Sequence, residues 1–462
     1  MVLTKSPITH THPASGITHM ANNSLSRLVW RVSLPIILVE ATETFDHLID
    51  TLFLARVGIT ELGALALADS VLLLFLIVPL SLVDGVQILT ARRMGQRRKD
   101  AVGAAFNQGL LVVMALCVLA TVALKLASPL ITGWLVQSDA VGEAVNGYLQ
   151  IDAYSIPLAG ATFAFSALLT SLGKTRALIP ATIIVVVSDV ILNYLFIFGK
   201  FGFPALGMRG AAVGSIGAEL AATIFLAVYV WRQFDRRQYG FFHFRRFDQR
   251  ILRLLGRLSA PIVALGLLED LRWFLFFLMI ERVGTPALAI ANIVYTCYIV
   301  FWIPAEGFAE TACSMVSRFV GSNRSHRIGE VLRSTTAGAI LATVPFIVLA
   351  LFAPQWLVGV FSPGADLLGQ SDASLRVIGL AMLVAIPGQM WFTAVESTGD
   401  TTAALGIDFL LTVVMLGITY LAAIHLSCSM ALIWLSIPIT WVLCLAMCYG
   451  WMKSGIWRRL EV

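Results

Sequence analysis

Four carboxylates, Glu40, Glu43, Asp46 and Asp50, fall inside the first long apolar run of this 462-residue chain. At about 100° per residue they lie, together with His47, within roughly 120° of one helix face. Carboxylates at bilayer depth are expensive against lipid, so they face protein or water and mark a functional site by default. Neighbouring carboxylates can hold either protons or a cation, and competition between the two is sufficient for exchange of one for the other. One proton moving inward at about 100 mV supplies roughly 2.3 kcal/mol, which suits a secondary transporter rather than a fuelled pump. Near the outer end of this helix Asp50 also admits a plain reading as a solvated, unpaired residue, and His47 one as a hydrogen-bonded packing residue.

The elements that position these acids are membrane spans. Hydrophobic residues make up 58% of the chain and charged ones 13%, against about 25% charged in soluble domains. Twelve runs reach the length needed to cross a bilayer: 28–57, 62–91, 102–127, 145–172, 177–199, 209–231, 254–283, 287–317, 331–353, 375–397, 401–425 and 428–452. With the N-terminus cytoplasmic, the tails and even-numbered loops carry 25 basic residues and the opposite face six, while Arg272 lies within a span. The asymmetry predicts both termini on the cytoplasmic side of the plasma (inner) membrane. No charged leader followed by a short cleavable apolar stretch precedes the first span. His10, His12 and His19 read as part of a tail. The six cysteines sit in apolar stretches, Cys444 and Cys448 on one helix face, and read as packing rather than as a disulfide or metal framework.

The segment 234–253 interleaves Arg236, Arg237, Arg245, Arg246 and Arg250 with Phe241, Phe242, Phe244 and Phe247. Basic and aromatic residues together can bind single-stranded nucleic acid, but a position between spans predicts a membrane-surface linker and no nucleic-acid partner. It separates two halves that repeat at an offset of 226: residues 31–35 (RVSLP) return at 257–261 (RLSAP), 56–58 (RVG) at 282–284, Arg92 and Gly95 as Arg318 and Gly321, and Gly173 and Thr175 as Gly399 and Thr401. Six spans per half give parallel repeats, with a site between them near the midplane. The predicted layout is a tail (1–27), an N-lobe (28–233), a basic linker (234–253), a C-lobe (254–452) and a C-terminal tail (453–462). The fold class is an all-α polytopic membrane protein of twelve helices in two pseudo-symmetric six-helix lobes. At this offset Glu43 corresponds to Glu269 and Asp46 to Arg272, so Arg272 is a candidate to neutralise a first-span acid, as a structural pair, a resting lock or a recognition site for a zwitterion.

Several ordered segments resemble the multidrug and toxic compound extrusion (MATE) family over essentially residues 28–451. They are 50–58 (DTLFLARVG), 192–204 (LNYLFIFGKFGFP) with Gly207 and 210–212 (GAA), and the paired turns 173–176 (GKTR) and 399–401 (GDT). The resemblance implies a V-shaped pair of lobes and export of organic cations coupled to inward H⁺ or Na⁺, with no other cofactor. The family's first-span Asp falls on Asp50 and its first-span proline, associated with bending of that helix, on Pro35. The stretch 267–271 (LLEDL) resembles the NorM-like branch, whose coupling Glu falls on Glu269. In the fifth span the family's Asn and Asp appear in reversed order, as Asp189 and Asn193. The tenth-span acid of that branch has no clear match beside Gln389 and Glu396.

The implied coupling set is therefore Asp50, Asp189, Asn193 and Glu269. The expected substrate cavity adds Glu40, Glu43, Asp46, Asp270, Arg272 and, from a polar position in the eighth span, Asn292. The partners expected are small organic cations and the bilayer, and the unit a monomer. A lipid-linked oligosaccharide or amphiphile flippase of the same superfamily is the alternative; its sites are often basic, unlike this first span. An enzyme is not indicated, because neither an HExxH zinc motif nor a nucleophile elbow occurs. Gly173-Lys174-Thr175 lacks the glycine five residues earlier, where Leu168 stands, so no nucleotide is implied.

Overall fold

The computed structural model describes residues 22–459 apart from 137, 244–247, 362–364 and 427. His10, His12 and His19, together with Phe244, Arg245, Arg246 and Phe247 of the linker, lie outside the described residues. The first half comprises α1 (Asn22–Ala55), α2 (Ile59–Gly95), α3 (Lys99–Leu135), α4 (Asp139–Asp152), α5 (Ser155–Ser171), α6 (Leu178–Phe198) and α7 (Met208–Gln233). After the short α8 (Arg236–Tyr239) come α9 (Gln249–Glu281), α10 (Thr285–Gly321), α11 (Ile328–Phe352), α12 (Pro354–Phe361), α13 (Ala365–Ser397), α14 (Thr401–Tyr420), α15 (Met430–Trp434) and α16 (Ser436–Ser454).

Among the described residues ten helical segments are long and apolar enough to cross a membrane alone, and α4 with α5 makes an eleventh crossing bent by 51°. The twelfth is α1, whose 34 residues span about 50 Å. Its four acids fall within a few turns of one another, and its two faces differ. Leu34, Leu38, Phe45, Leu48 and Leu52 are exposed along one face, and the four acids occupy the opposite one. The apolar face meets lipid; the acidic face does not have to.

The lobes exchange the beginnings of their first helices. Leu25 and Val29 of α1 pack into the core of the second half, while Val32, Ile36 and Leu54 belong to that of the first. Reciprocally, Leu255, Leu258 and Ile262 of α9 pack into the first half, and Phe276 and Ile280 into the second. Pro35 and Pro261 sit at the two transfer points, each inside a continuous helix, where the ring removes one backbone hydrogen bond and loosens the ladder.

The lobes meet at the end where α1 begins and α16 finishes. Ser33 Oγ donates to Thr311 Oγ1 at 2.8 Å, and its repeat partner Ser259 packs on Gly85, the counterpart of Thr311. Further along, the backbones cross with no room for a side chain. A Cβ on Gly95 would overlap the Arg318 carbonyl oxygen, and a Cβ on Gly321 the Arg92 carbonyl oxygen. These reciprocal contacts make the glycines a sequence requirement of lobe closure. Gly95→Ala and Gly321→Ala are each expected to destabilise the fold by about 1–3 kcal/mol, equally within error. Chemical unfolding in detergent is the measurement, and a twofold inequality in free energy between the variants contradicts the reciprocity.

The linker differs from its expected place on the membrane surface. Tyr239 and Phe241 are buried in the first-half core, with Phe241 edge-on to Phe106 at 5.7 Å. An aromatic side chain gains as much from a protein groove as from the interface, and here the groove supplies hydrogen bonds to the linker backbone as well.

Candidate functional site

In the first half, α1 and α6 bring Asp50, Asp189 and Asn193 together. Asp189 and Asn193, one turn apart on α6, are both buried. The Asn193 Nδ2 amide donates to Asp50 Oδ1 and to Asp189 Oδ2, each at 2.6 Å. Ser215 Oγ of α7 donates to Asp189 Oδ1 at 3.4 Å. The reversed order of Asp189 and Asn193 keeps both on one face, because a four-residue separation nearly closes a helical turn. Gly214 of α7 permits the approach: a Cβ there would strike Asn193 Oδ1, an oxygen that has no hydrogen-bond partner among the described residues. One amide thus ties two carboxylates of different helices together, with a hydroxyl on the second of them.

The other first-span acids extend this face toward the lobe junction. Asp46 and Glu43 follow, with Glu43 in electrostatic reach of Glu219 on α7, and Glu40 in reach of Glu43 and of Glu310 on α10. His47 is 3.5 Å from Asp69 of α2.

The second half holds a cavity of about 490 Å³ bounded by α2, α9, α10, α13, α14 and α16. Six carboxylates line it: Asp84, Glu269, Glu306, Glu310, Glu396 and Asp408. Arg272 is the one cation among the lining residues. Gln87 Nε2 of α2 donates across the lobes to Glu310 Oε2 at 2.5 Å, and Trp302 Nε1 donates to Glu306 Oε2 at 3.0 Å. Trp273, Tyr295, Tyr298, Trp302 and Trp441 form the aromatic wall, with Trp302 and Trp441 5.2 Å apart. Carboxylates beside aromatic faces are the surroundings an organic cation requires.

Glu269 opens onto this cavity, 61% exposed at its side chain. Arg272 does not neutralise a first-span acid. It donates to Asp408 Oδ1 of α14 at 2.8 Å and to Thr412 Oγ1 at 3.3 Å, with Glu269 at 3.7 Å. The reason is geometric: residues equivalent under a repeat stand at equal positions in two lobes, and equivalence alone does not bring them into contact. Asp270 is exposed and outside the cavity, and Asn292 is exposed with its amide turned back to the Leu288 carbonyl at 3.0 Å. Gln389 and Glu396, the polar groups the sequence offers for the tenth span, both line the cavity, whereas Asp84, Glu306, Glu310 and Asp408 are not among the residues it singles out. The spacing Trp302, Glu306, Glu310, one turn at each step, was the available signal on α10.

Two facing lobes, twelve crossings and polar groups gathered at depth are the architecture of a polytopic membrane transporter. The MatE family profile matches residues 35–195 and again 261–421, separated by the same 226 residues as the sequence repeat. The chain belongs to the MatE family. A probable multidrug resistance protein NorM of Synechocystis sp. is 24% identical over 356 residues, covering 76% of each chain. An uncharacterized transporter of Bacillus subtilis, YisQ, is 26% identical over 451 residues, 94% of each. The crystal structure of a Vibrio cholerae MATE transporter, VcmN, superposes with a TM-score of 0.87 at 15% identity, covering 95% of this chain and 99% of that one.

Proposed function

We propose that this protein is a secondary antiporter that exports organic cations in exchange for H⁺ or Na⁺ by alternating access. The observation that carries the reading is a cavity lined by six carboxylates, an aromatic wall and a single guanidinium, in a chain that holds a second acidic cluster at Asp50 and Asp189. The multidrug resistance name borne by relatives such as the Synechocystis protein supports drug-like substrates. Both termini are cytoplasmic in the inner membrane, which makes the closed end the cytoplasmic one and the conformation outward-open. The N-lobe (28–233) and C-lobe (254–452) are the moving bodies, a monomer is the working unit, and bending of α1 at Pro35 accompanies the switch.

In this cycle substrate cations rest among Glu269, Glu306, Glu310 and Glu396. The exchanged ion binds where Asn193 ties Asp50 to Asp189; Glu40, Glu43 and Asp46 line the path between the two clusters. Na⁺ takes several hard oxygens, which Asp50, Asp189, Asn193 and Ser215 offer; H⁺ needs one carboxylate. Efflux of a fluorescent organic cation from proteoliposomes under separately imposed pH and Na⁺ gradients is the test. Acceleration by one gradient identifies the ion; equal flux with and without both gradients refutes antiport.

A further inference from the structure

The repeat makes the two lobes comparable residue by residue, and at one place they differ. In the first half a groove runs between the start of α3 and the end of α7 over α5, and the linker fills it. Phe241 is 1% exposed there, and a Cβ on Gly103 would strike the Tyr239 carbonyl oxygen. Asn107 clamps the plug, donating to the Gly240 carbonyl at 2.8 Å and accepting from the Phe242 amide at 2.9 Å.

At the 226 offset, Gly103, Phe106, Phe165, Trp231 and Arg232 become Gly329, Leu332, Trp391, Trp457 and Arg458. These five line a groove of about 230 Å³ between the start of α11 and the end of α16, over α13. Here a Cβ on Gly329 meets nothing within 4 Å. The slot that Phe241 and Tyr239 fill in one lobe stands open in the other among the described residues.

Its chemistry specifies an occupant. Leu332, Trp391 and Met452 give apolar walls, and half-exposed Tyr449 stands edge-on to Trp391 at 5.1 Å. On the same face of α13, three turns deeper in the membrane, exposed Leu380 continues the apolar strip. At the mouth, Lys453 lies over the Tyr449 ring at 5.9 Å and Arg458 over the Trp457 ring at 5.4 Å. Among the described residues neither cation has a carboxylate within 4 Å, and Glu330 on the same edge is held by Arg327 at 2.8 Å. An apolar slot continuous with the hydrocarbon layer, capped by aromatic rings and two cations at the helix ends, matches a phospholipid with an anionic head group. A peptide plug like the linker matches less well, because it would leave the two cations without a counter-charge.

We propose that the groove between α11 and α16 binds an anionic phospholipid, with one acyl chain in the slot beside Gly329 and Trp391 and the phosphate on Lys453 and Arg458. The reading does not depend on which ion or substrate is transported. The test is native mass spectrometry of the purified full-length protein, titrated with phosphatidylglycerol or with phosphatidylcholine of the same acyl chains. Wild type is expected to retain phosphatidylglycerol about tenfold better. Lys453→Gln/Arg458→Gln removes the preference while keeping lipid binding. Gly329→Leu, which fills the slot, removes the tightest lipid of either type. Arg232→Gln, at the plugged equivalent, leaves the preference intact. Equal retention of the two lipids by wild type, or a preference that survives the double substitution, overturns the proposal. So does loss of preference in Arg232→Gln, which would reveal nonspecific surface charge. Displacement by inorganic phosphate alone overturns it too, since that would make the cations an ion site with no role for the slot.

Discussion

Asp50→Asn protein in liposomes is expected to lose gradient-driven efflux by about ten- to a hundredfold while remaining folded. Asp50 is where a polar bond ties α1 to α6, through the 2.6 Å bond from Asn193. The Asn193 amide serves two carboxylates at once, so its geometry depends on both being present. Replacing the carboxylate by an amide keeps the shape and an acceptor oxygen but removes the charge that a cation or proton would neutralise. A hydrogen bond to a charged group is worth about 1.5–3 kcal/mol, which corresponds to roughly ten- to a hundredfold in rate when it is lost from the productive state. The matched control is Asp270→Asn, a change of the same type on an exposed residue outside the cavity, expected to alter efflux less than about twofold. Substrate-gradient exchange without an ion gradient is expected to persist in Asp50→Asn. Wild-type ion-driven rates in Asp50→Asn, or equal losses in both variants, would show that Asp50 is not the coupling group.

The pairing of Asp50 with α6 was legible because a matched motif and a four-residue helical spacing both pointed at it. The twelve crossings were legible for a simpler reason: a bilayer demands long apolar runs, and composition alone records them. The break between Asp152 and Ser155 and its 51° bend were not, since the one mark near it, Pro157 in the first turn of α5, stands where a continuous or a restarted helix would equally tolerate it. The second-half cavity was hidden for a different reason. Glu306, Glu310 and Glu396 belong to helices whose rotation is set by packing, through contacts such as Gln87 with Glu310 across the lobes. Sequence gives their spacing along a helix, but not the direction in which that face is turned. Arg272 shows the limit of repeat reasoning most directly. The offset correctly relates its position to that of Asp46, yet its partner Asp408 lies 136 residues further along the chain on α14, brought there by the 33- and 20-residue helices α9 and α14 packing side by side.

That pairing leads to the largest expected effect on stability. The Arg272 and Asp408 side chains are 14% and 12% exposed, and Arg272 is the cavity's one lining cation. Taking away a partner leaves an uncompensated charge in a poorly solvated place, at a cost of about 3–5 kcal/mol. Glu269 at 3.7 Å recovers part of this, so Asp408→Leu is expected to lose about 3 kcal/mol and Arg272→Met somewhat less, because Asp408 can take a proton instead. Arg272→Met/Asp408→Leu removes both charges together and is expected to regain most of the loss. A double-mutant cycle of unfolding free energies in detergent makes the comparison. Additive losses would mean that the ion pair contributes nothing as a pair. The same cycle separates architecture from transport. If the guanidinium serves only to hold α9 against α14, the apolar pair restores both stability and efflux. If Arg272 also sets the charge that incoming cations meet among Glu269, Glu306 and Glu310, stability returns while the apparent KM for a cationic substrate shifts and the unfolding midpoint does not.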